Sequence, residues 1–391
     1  MAADERSHDS FPHNGAGRNG TPEPSAHRPS WWIYRGTGRP LHDIDLRTLL
    51  PGPPPWRDFD GGPVLSPPPD DERDLERRLG PVEGARPRHS DPEEVDAVNA
   101  ALYLRRPLLV TGEPGVGKSS LAYRIARELR LGRVLRWPIN SRSTVRDGLY
   151  EYDAIGRAQD AAAARRLADA GLEREPGAAL EHAGVGRYLQ LGALGTALLP
   201  YDLPRVLLID ELDKSDIDLP NDLLDVFEEG EYRIPELVRI SAREPKADVY
   251  TADPDALVEI DRGHVRCRAF PVIVITSNGE REFPVAFLRR CLRLTMKAPD
   301  ETRLADMVAA HFAERSDERT RQLIQHFIEY RRTKSGLAAD QLLNAVHLVT
   351  SGDKIEAADW ERLLDLIWQR LRPLGESPLA GYRGRPRDGS P

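Results

Sequence analysis

The chain has 391 residues, and 55 Lys and Arg against 63 Asp and Glu leave a formal net charge of −8. That balance argues against an all-over cationic coat for nucleic acid and leaves room only for a local basic groove. With 40% apolar and 30% charged residues the composition is that of a globular protein, and no apolar run approaches the roughly 20 residues that span a bilayer.

Proline is in excess, and 15 of the 33 lie before residue 91. Residues 1–28 have few large apolar groups to offset ordering entropy, so they are expected to be disordered. The start, Met1 to Ser10, is polar and acidic, unlike a secretory signal. Residues 29–90 read as a Pro/Trp-rich arm carrying Trp31, Trp32 and Trp56. Such an arm is expected to lie extended on the folded body, with docking of a partner as the alternative.

Order is expected to begin at Asp91. Asp91 can cap a helix whose first turn holds Pro92, Glu93 and Glu94, and Val95, Val98 and Leu102 give it an apolar face. Strands are predicted at Pro107–Val110, Arg133–Ile139, Arg205–Ile209 and Phe270–Ile275, each a short apolar run suited to a parallel sheet covered on both faces. Helices are predicted at Ser120–Leu131, Ala154–Ala170 and Pro220–Glu229, the last closed by Gly230, with a polar hairpin over Val249–Val265. Residues 91–298 thus read as an α/β domain. From 299 to 372 the spacing is helical throughout, which predicts a small all-helical domain, and 373–391 form a disordered tail. No repeat at a solenoid period is present.

The chemistry begins at Gly112, Glu113, Pro114, Gly115, Val116, Gly117, Lys118 and Ser119, a complete G-x-x-x-x-G-K-[ST] run between a predicted strand and a predicted helix. Glycines let successive N–H groups face one anion at a helix N-terminus, where Ser120 follows. Lys118 is expected to reach the β- and γ-phosphates of a nucleotide and Ser119 to meet Mg²⁺. Asp210 and Glu211 end the apolar run Arg205–Ile209. Asp210 is placed to hold Mg²⁺ and Glu211 to polarise the attacking water. Thr276, Ser277 and Asn278 follow the last predicted core strand, where an amide can contact the γ-phosphate or the lytic water. Arg289 and Arg290 lie in Phe287–Arg293, with Arg290 the first choice to reach a neighbouring subunit's phosphate. No [NT]-K-x-D guanine signature is present, so ATP is expected over GTP.

This order, a phosphate loop, Asp-Glu after a strand, Thr-Ser-Asn, an Arg pair and a helical segment, resembles an AAA+ ATPase over about residues 91–372. The runs Gly112–Ser119, Asp210–Lys214 and Thr276–Cys291 are similar to the MoxR branch found in bacterial conflict and signalling operons. The resemblance implies a P-loop α/β fold with a helical lid, ATP and Mg²⁺ as cofactors, and a ring oligomer, typically a hexamer. It also implies a protein partner, often one with a von Willebrand A domain, remodelled or activated by hydrolysis. One departure is that Gly336–Leu343 has no Arg where such lids place one against the γ-phosphate.

The remaining signals are read as structural. His311, His326 and His347 fall on helical patterns, and Cys267 and Cys291 form no spaced set, arguing against a disulfide framework or a Cys-based zinc site. Trp360 and Trp368 are expected in the lid core. Tyr150 and Tyr152 are read as packing residues, with a pore-lining loop as the alternative. The expectation is therefore a cytoplasmic ATP-hydrolysing remodeller. A nucleotide-dependent scaffold or switch is the second reading, and a DNA-associated motor, which neither charge nor motif supports, is the third.

Overall fold

The computed structural model describes residues 29–42, 45–82, 91–169, 184–312, 318–333, 339–351, 362–364 and 366–368. The expectations for 1–28 and 373–391, for Trp360 and for Gly336–Ala338 lie outside them.

In the arm, a single helical turn at Leu46–Leu49 precedes the longer helix α1 (Glu72–Leu79), which is capped by Asp71. It is followed by α2 (Pro92–Leu104), β1 (Leu108–Thr111), α3 (Lys118–Leu129), β2 (Leu135–Pro138), β3 (Tyr150–Tyr152), α4 (Ala154–Asp169), β4 (Leu189–Leu191) and β5 (Val206–Asp210). Then come α5 (Leu219–Glu229), β6 (Glu231–Arg233), β7 (Lys246–Tyr250), β8 (Leu257–Asp261), β9 (His264–Arg266), β10 (Val272–Ser277), α6 (Val285–Arg290) and β11 (Leu292–Thr295). Three helices follow: α7 (Glu301–His311), α8 (Glu318–Thr333) and α9 (Ala339–Ser351).

The central sheet has the order β11-β1-β10-β5-β2, and every pairing in it is parallel. Alternation along its strands feeds two cores. Leu109, Leu207, Ile209, Ile273 and Ile275 pack on one face, and Leu108, Val110, Leu208 and Val274 on the other, as expected of strands buried on both sides. Loops at the carboxyl ends of β1, β5 and β10 therefore converge where such sheets place ligands.

Several boundaries differ from the sequence reading. Strand β10 runs on through Thr276 and Ser277, because both continue in register beside Val110 and Thr111 of β1. Asp210 closes β5 opposite Pro138. Helix α3 starts at Lys118 and not at Ser120. Strands β3, β4, β6 and β11 were not expected. The first two build a second sheet, β3-β4-β7-β8, with α4 between them in sequence. Tyr150 is buried in β3 opposite Leu191, its ring under the Arg146 guanidinium, so a pore-lining loop does not hold for it. The expected hairpin is β7–β8, over Lys246–Asp261, whereas β9 pairs with β6.

The arm is anchored by polar side chains of the body. Asn99 in α2 accepts from the Ile33 and Tyr34 amides at 2.8 and 3.0 Å and donates to the Tyr34 carbonyl at 2.7 Å. Glu128 in α3, fully buried, accepts from the amides of Arg35, Gly36 and Gly38 and from the Thr37 hydroxyl. Of the three indoles, Trp32 donates to Asp96 at 2.8 Å and Trp31 stands edge-on to Tyr103, while Trp56 is exposed. Helices α7, α8 and α9 share a separate cluster, including Leu304, Phe327, Leu342 and Trp368. Among the described residues no helix is long and apolar enough to cross a membrane.

Candidate functional site

The loop from Gly112 to Gly117 turns the chain from β1 into α3. Gly112 has φ +147°, and a Cβ there would stand 2.5 Å from the Met296 carbonyl oxygen. Gly117, at φ +93°, starts α3 in the left-handed region. Both positions need glycine. Glu113, Pro114 and Gly115 are exposed, Gly117, Ser119 and Ser120 are half-buried, and Val116 packs inward. The Ala339 amide of α9 donates to the Gly115 carbonyl at 3.3 Å, so the C-terminal helices touch the loop directly.

Lys118 is buried, and its ammonium donates to the carbonyls of Gly112 and Glu113 at 2.8 and 2.9 Å and to Asn278 Oδ1 at 2.7 Å. Burial pulls its pKa below the usual lysine value, against the pull of Asp213, Glu211, Asp210 and Glu113. Asn278 Nδ2 lies 3.4 Å from Glu211 Oε1, and Lys214 pairs with the other Glu211 oxygen at 2.7 Å. Glu211 itself has φ +64°, a conformation uncommon outside glycine that marks sites where geometry is enforced.

Asp210 is the most heavily bonded group in the site. Ser119 and Thr276 donate their hydroxyls to Oδ1 at 2.7 and 2.9 Å, and Arg136 donates to Oδ2 at 2.8 and 3.2 Å. Burial raises the carboxyl pKa, yet the bonds from Ser119, Arg136 and Thr276 outweigh it and leave Asp210 below its usual value. Thr276 also accepts from the Glu211 amide at 2.8 Å, so one hydroxyl orders both acids.

Asp213, also buried, accepts from the amides of Asn278 and Glu280 at 2.8 and 3.0 Å through Oδ2. It ties the loop after β10 to the loop after β5. Beside the phosphate loop lies a pocket walled by Thr37 and Gly38 of the arm, Val116 and Ser120, and Met307 and His311 of α7. Three separate stretches of chain thus meet there.

The structure brings Lys118, Ser119, Asp210, Glu211 and Asn278 together. Arg290 and Arg289 stand apart from them on α6. Arg290 pairs with Glu228 of α5 in the same chain, whereas Arg289 is exposed. Sequence reasoning missed Arg136, Thr276 as a ligand of Asp210, Asp213 and the arm's wall of the pocket. Alternation in Leu135-Arg-Trp-Pro138 separates Arg136 from the core face, but only the β2–β5 pairing brings it to Asp210. His311, read as a packing or surface residue, lines the pocket.

Residues 107–291 match the family model described as AAA domain (dynein-related subfamily). This segment is an AAA domain. No curated protein matches the chain. The AAA domain begins at the first central strand and ends just after α6, so the matched stretch includes the phosphate loop, Asp210, Glu211, Asn278 and the Arg pair. The arm and α7–α9 lie outside it, yet both line the pocket or touch the loop of the AAA domain.

Proposed function

We propose that the chain binds ATP at Gly112–Ser120 and hydrolyses it, with Lys118 on the phosphates and Glu211 as the base that polarises water. The observation that carries this reading is the short Ser119–Asp210 contact at 2.7 Å, next to the Lys118–Asn278–Glu211 chain of contacts. Both partners of that contact offer oxygen, the donor type that suits Mg²⁺. Among the described residues no cluster of three or more His, Cys, Asp or Glu could hold a metal alone, so a cation here would take oxygens from the nucleotide as well. Bound Mg²⁺ would supply charge neutralisation between phosphate oxygens. Asn278 would report the γ-phosphate to both Lys118 and Glu211.

The adenine is expected in the pocket between the arm and α7, and the resemblance to MoxR-like AAA+ ATPases supports a hexameric ring acting on a protein partner, such as one with a von Willebrand A domain. In such a ring Arg289, exposed, or Arg290, once released from Glu228, would complete a neighbour's site. The test is Glu211→Gln. It should bind ATP as the parent does and lose at least about 100-fold in turnover, the usual scale for a lost general base. Unchanged turnover overturns the assignment of Glu211, and absence of ATP binding by the parent overturns the reading altogether. The Glu228–Arg290 pair favours a second reading, a switch in which ATP drives assembly and hydrolysis is slow. ATP-dependent assembly without turnover would select it.

A further inference from the structure

The bonds around Asp210 divide between two oxygens, and the division is informative. Oδ1 is held by Ser119 and Thr276, and Thr276 is fixed in turn by the Glu211 amide. Oδ2 is held by Arg136. The orientation of the carboxylate is therefore secured by α3 and β10 without Arg136. What Arg136 adds is charge.

The two partners also differ in access to water. The Asp210 side chain is 9% exposed and that of Arg136 is 45% exposed. A buried carboxylate without a counter-charge is costly, whereas a half-exposed guanidinium can turn to water at little cost. The pairing across the sheet puts the base of Arg136 beside Leu208, two residues before Asp210, so only its long stem reaches the acid. That is the geometry of a cation able to come and go.

We propose that Arg136 is a displaceable counter-ion that neutralises Asp210 when no divalent cation is bound and competes with that cation for it. It thereby sets the Mg²⁺ concentration the site requires. This rests on the reading of Gly112–Ser120 as an ATP site. The competition is electrostatic: a guanidinium on Oδ2 would lower the pull of the same carboxylate on a divalent cation. An ion pair of this partial exposure corresponds to about a threefold to tenfold change in an equilibrium constant.

The experiment titrates Mg²⁺ at a fixed concentration of a fluorescent ATP analogue and reads nucleotide binding, not turnover. It uses the full chain with Arg136→Met, Arg136→Gln and Arg136→Lys. The neutral variants should reach half-saturation at about threefold to tenfold less Mg²⁺, and Arg136→Lys, which keeps the charge, should stay near the parent. Melting without nucleotide should drop in the neutral variants, and saturating Mg²⁺ and nucleotide should restore most of the loss. Two neutral variants keep the test open if one fails to fold. Half-saturation that is unchanged or raised in the neutral variants overturns the role of Arg136. No nucleotide binding by the parent at any Mg²⁺ concentration overturns instead the reading on which it rests.

Discussion

Asn278 accepts a hydrogen bond from the Lys118 ammonium at 2.7 Å, and this contact joins the phosphate loop to the end of the central strand β10. The same amide reaches Glu211 at 3.4 Å. Among the described residues Asn278 is thus the one side chain that touches both the cation proposed to meet the phosphates and the acid assigned to water. Asn278→Ala should leave nucleotide affinity within about threefold of the parent, since the Lys118 charge and the loop amides remain. Turnover should fall about 100-fold, the scale for losing one aligned polar group at a reacting centre. Equilibrium binding of a fluorescent nucleotide and phosphate release, measured side by side, check it. Equal losses in both would mean that Asn278 only holds the loop.

Asp213 does not face the same chemistry but fixes its backbone. Its Oδ2 takes two amides from the loop that carries Asn278, and Oδ1 is buried without a hydrogen-bond partner among the described residues. Asp213→Ala would leave the amides of Asn278 and Glu280 unpaired, at a cost of about 2–4 kcal/mol. Denaturant unfolding should show that loss. Asp213→Asn keeps one side-chain oxygen able to accept and should recover at least half of it.

The legible part of the site is the part written contiguously. Gly112–Ser119 is one unbroken run, and Asp210-Glu211 can be read because four apolar residues, Val206 to Ile209, precede it in a strand too short to be anything else. Arg136 could not be found this way, because it lies 74 residues before its partner and meets it only when β2 pairs with β5. The arm shows the same limit. Its indoles are its most conspicuous sequence feature, yet its anchors are Asn99 and Glu128, two polar residues on helices whose apolar spacing points elsewhere. Strands of three or four residues, such as β3, β4 and β11, offer too few positions for alternation to register.

Glu128 makes the arm testable. Four donors of the arm converge on one buried carboxylate, and burial alone raises its pKa against those bonds. Glu128→Gln replaces an acceptor with an NH₂ group, which must face an amide or turn away. Stability should fall by about 2–3 kcal/mol, the range for a hydrogen-bonded charged group. Trypsin should then cut after Arg35, a half-buried site that the docked arm protects. Nucleotide affinity should weaken too, because Thr37 and Gly38 wall the pocket beside Val116. Protection unchanged in Glu128→Gln would mean that the other anchors, Asn99 and the buried Ile33 and Tyr34 among them, hold the arm without Glu128.

His311 gives the pocket a pH dependence of known sign. Burial pulls its pKa below the ordinary value of 6.5, with the positive charge of Arg127 acting in the same direction. Arg124 and Asp306 line the same pocket, and Arg124 is already paired with Glu94 at 2.9 Å. The folded chain therefore keeps His311 neutral in a range where the unfolded chain has begun to take up a proton. Stability from this group is present above the ordinary histidine value and is lost as pH falls through the lowered folded value. Melting temperature should decline between pH 7.5 and pH 5.5, and His311→Asn should flatten that decline while the loss at more acid pH, where Asp210 protonates, persists. Nucleotide and Mg²⁺ should protect against the acid loss, which involves the carboxylate proposed to hold the cation. A slope between pH 7.5 and pH 5.5 that is identical in parent and His311→Asn would assign that step to another group.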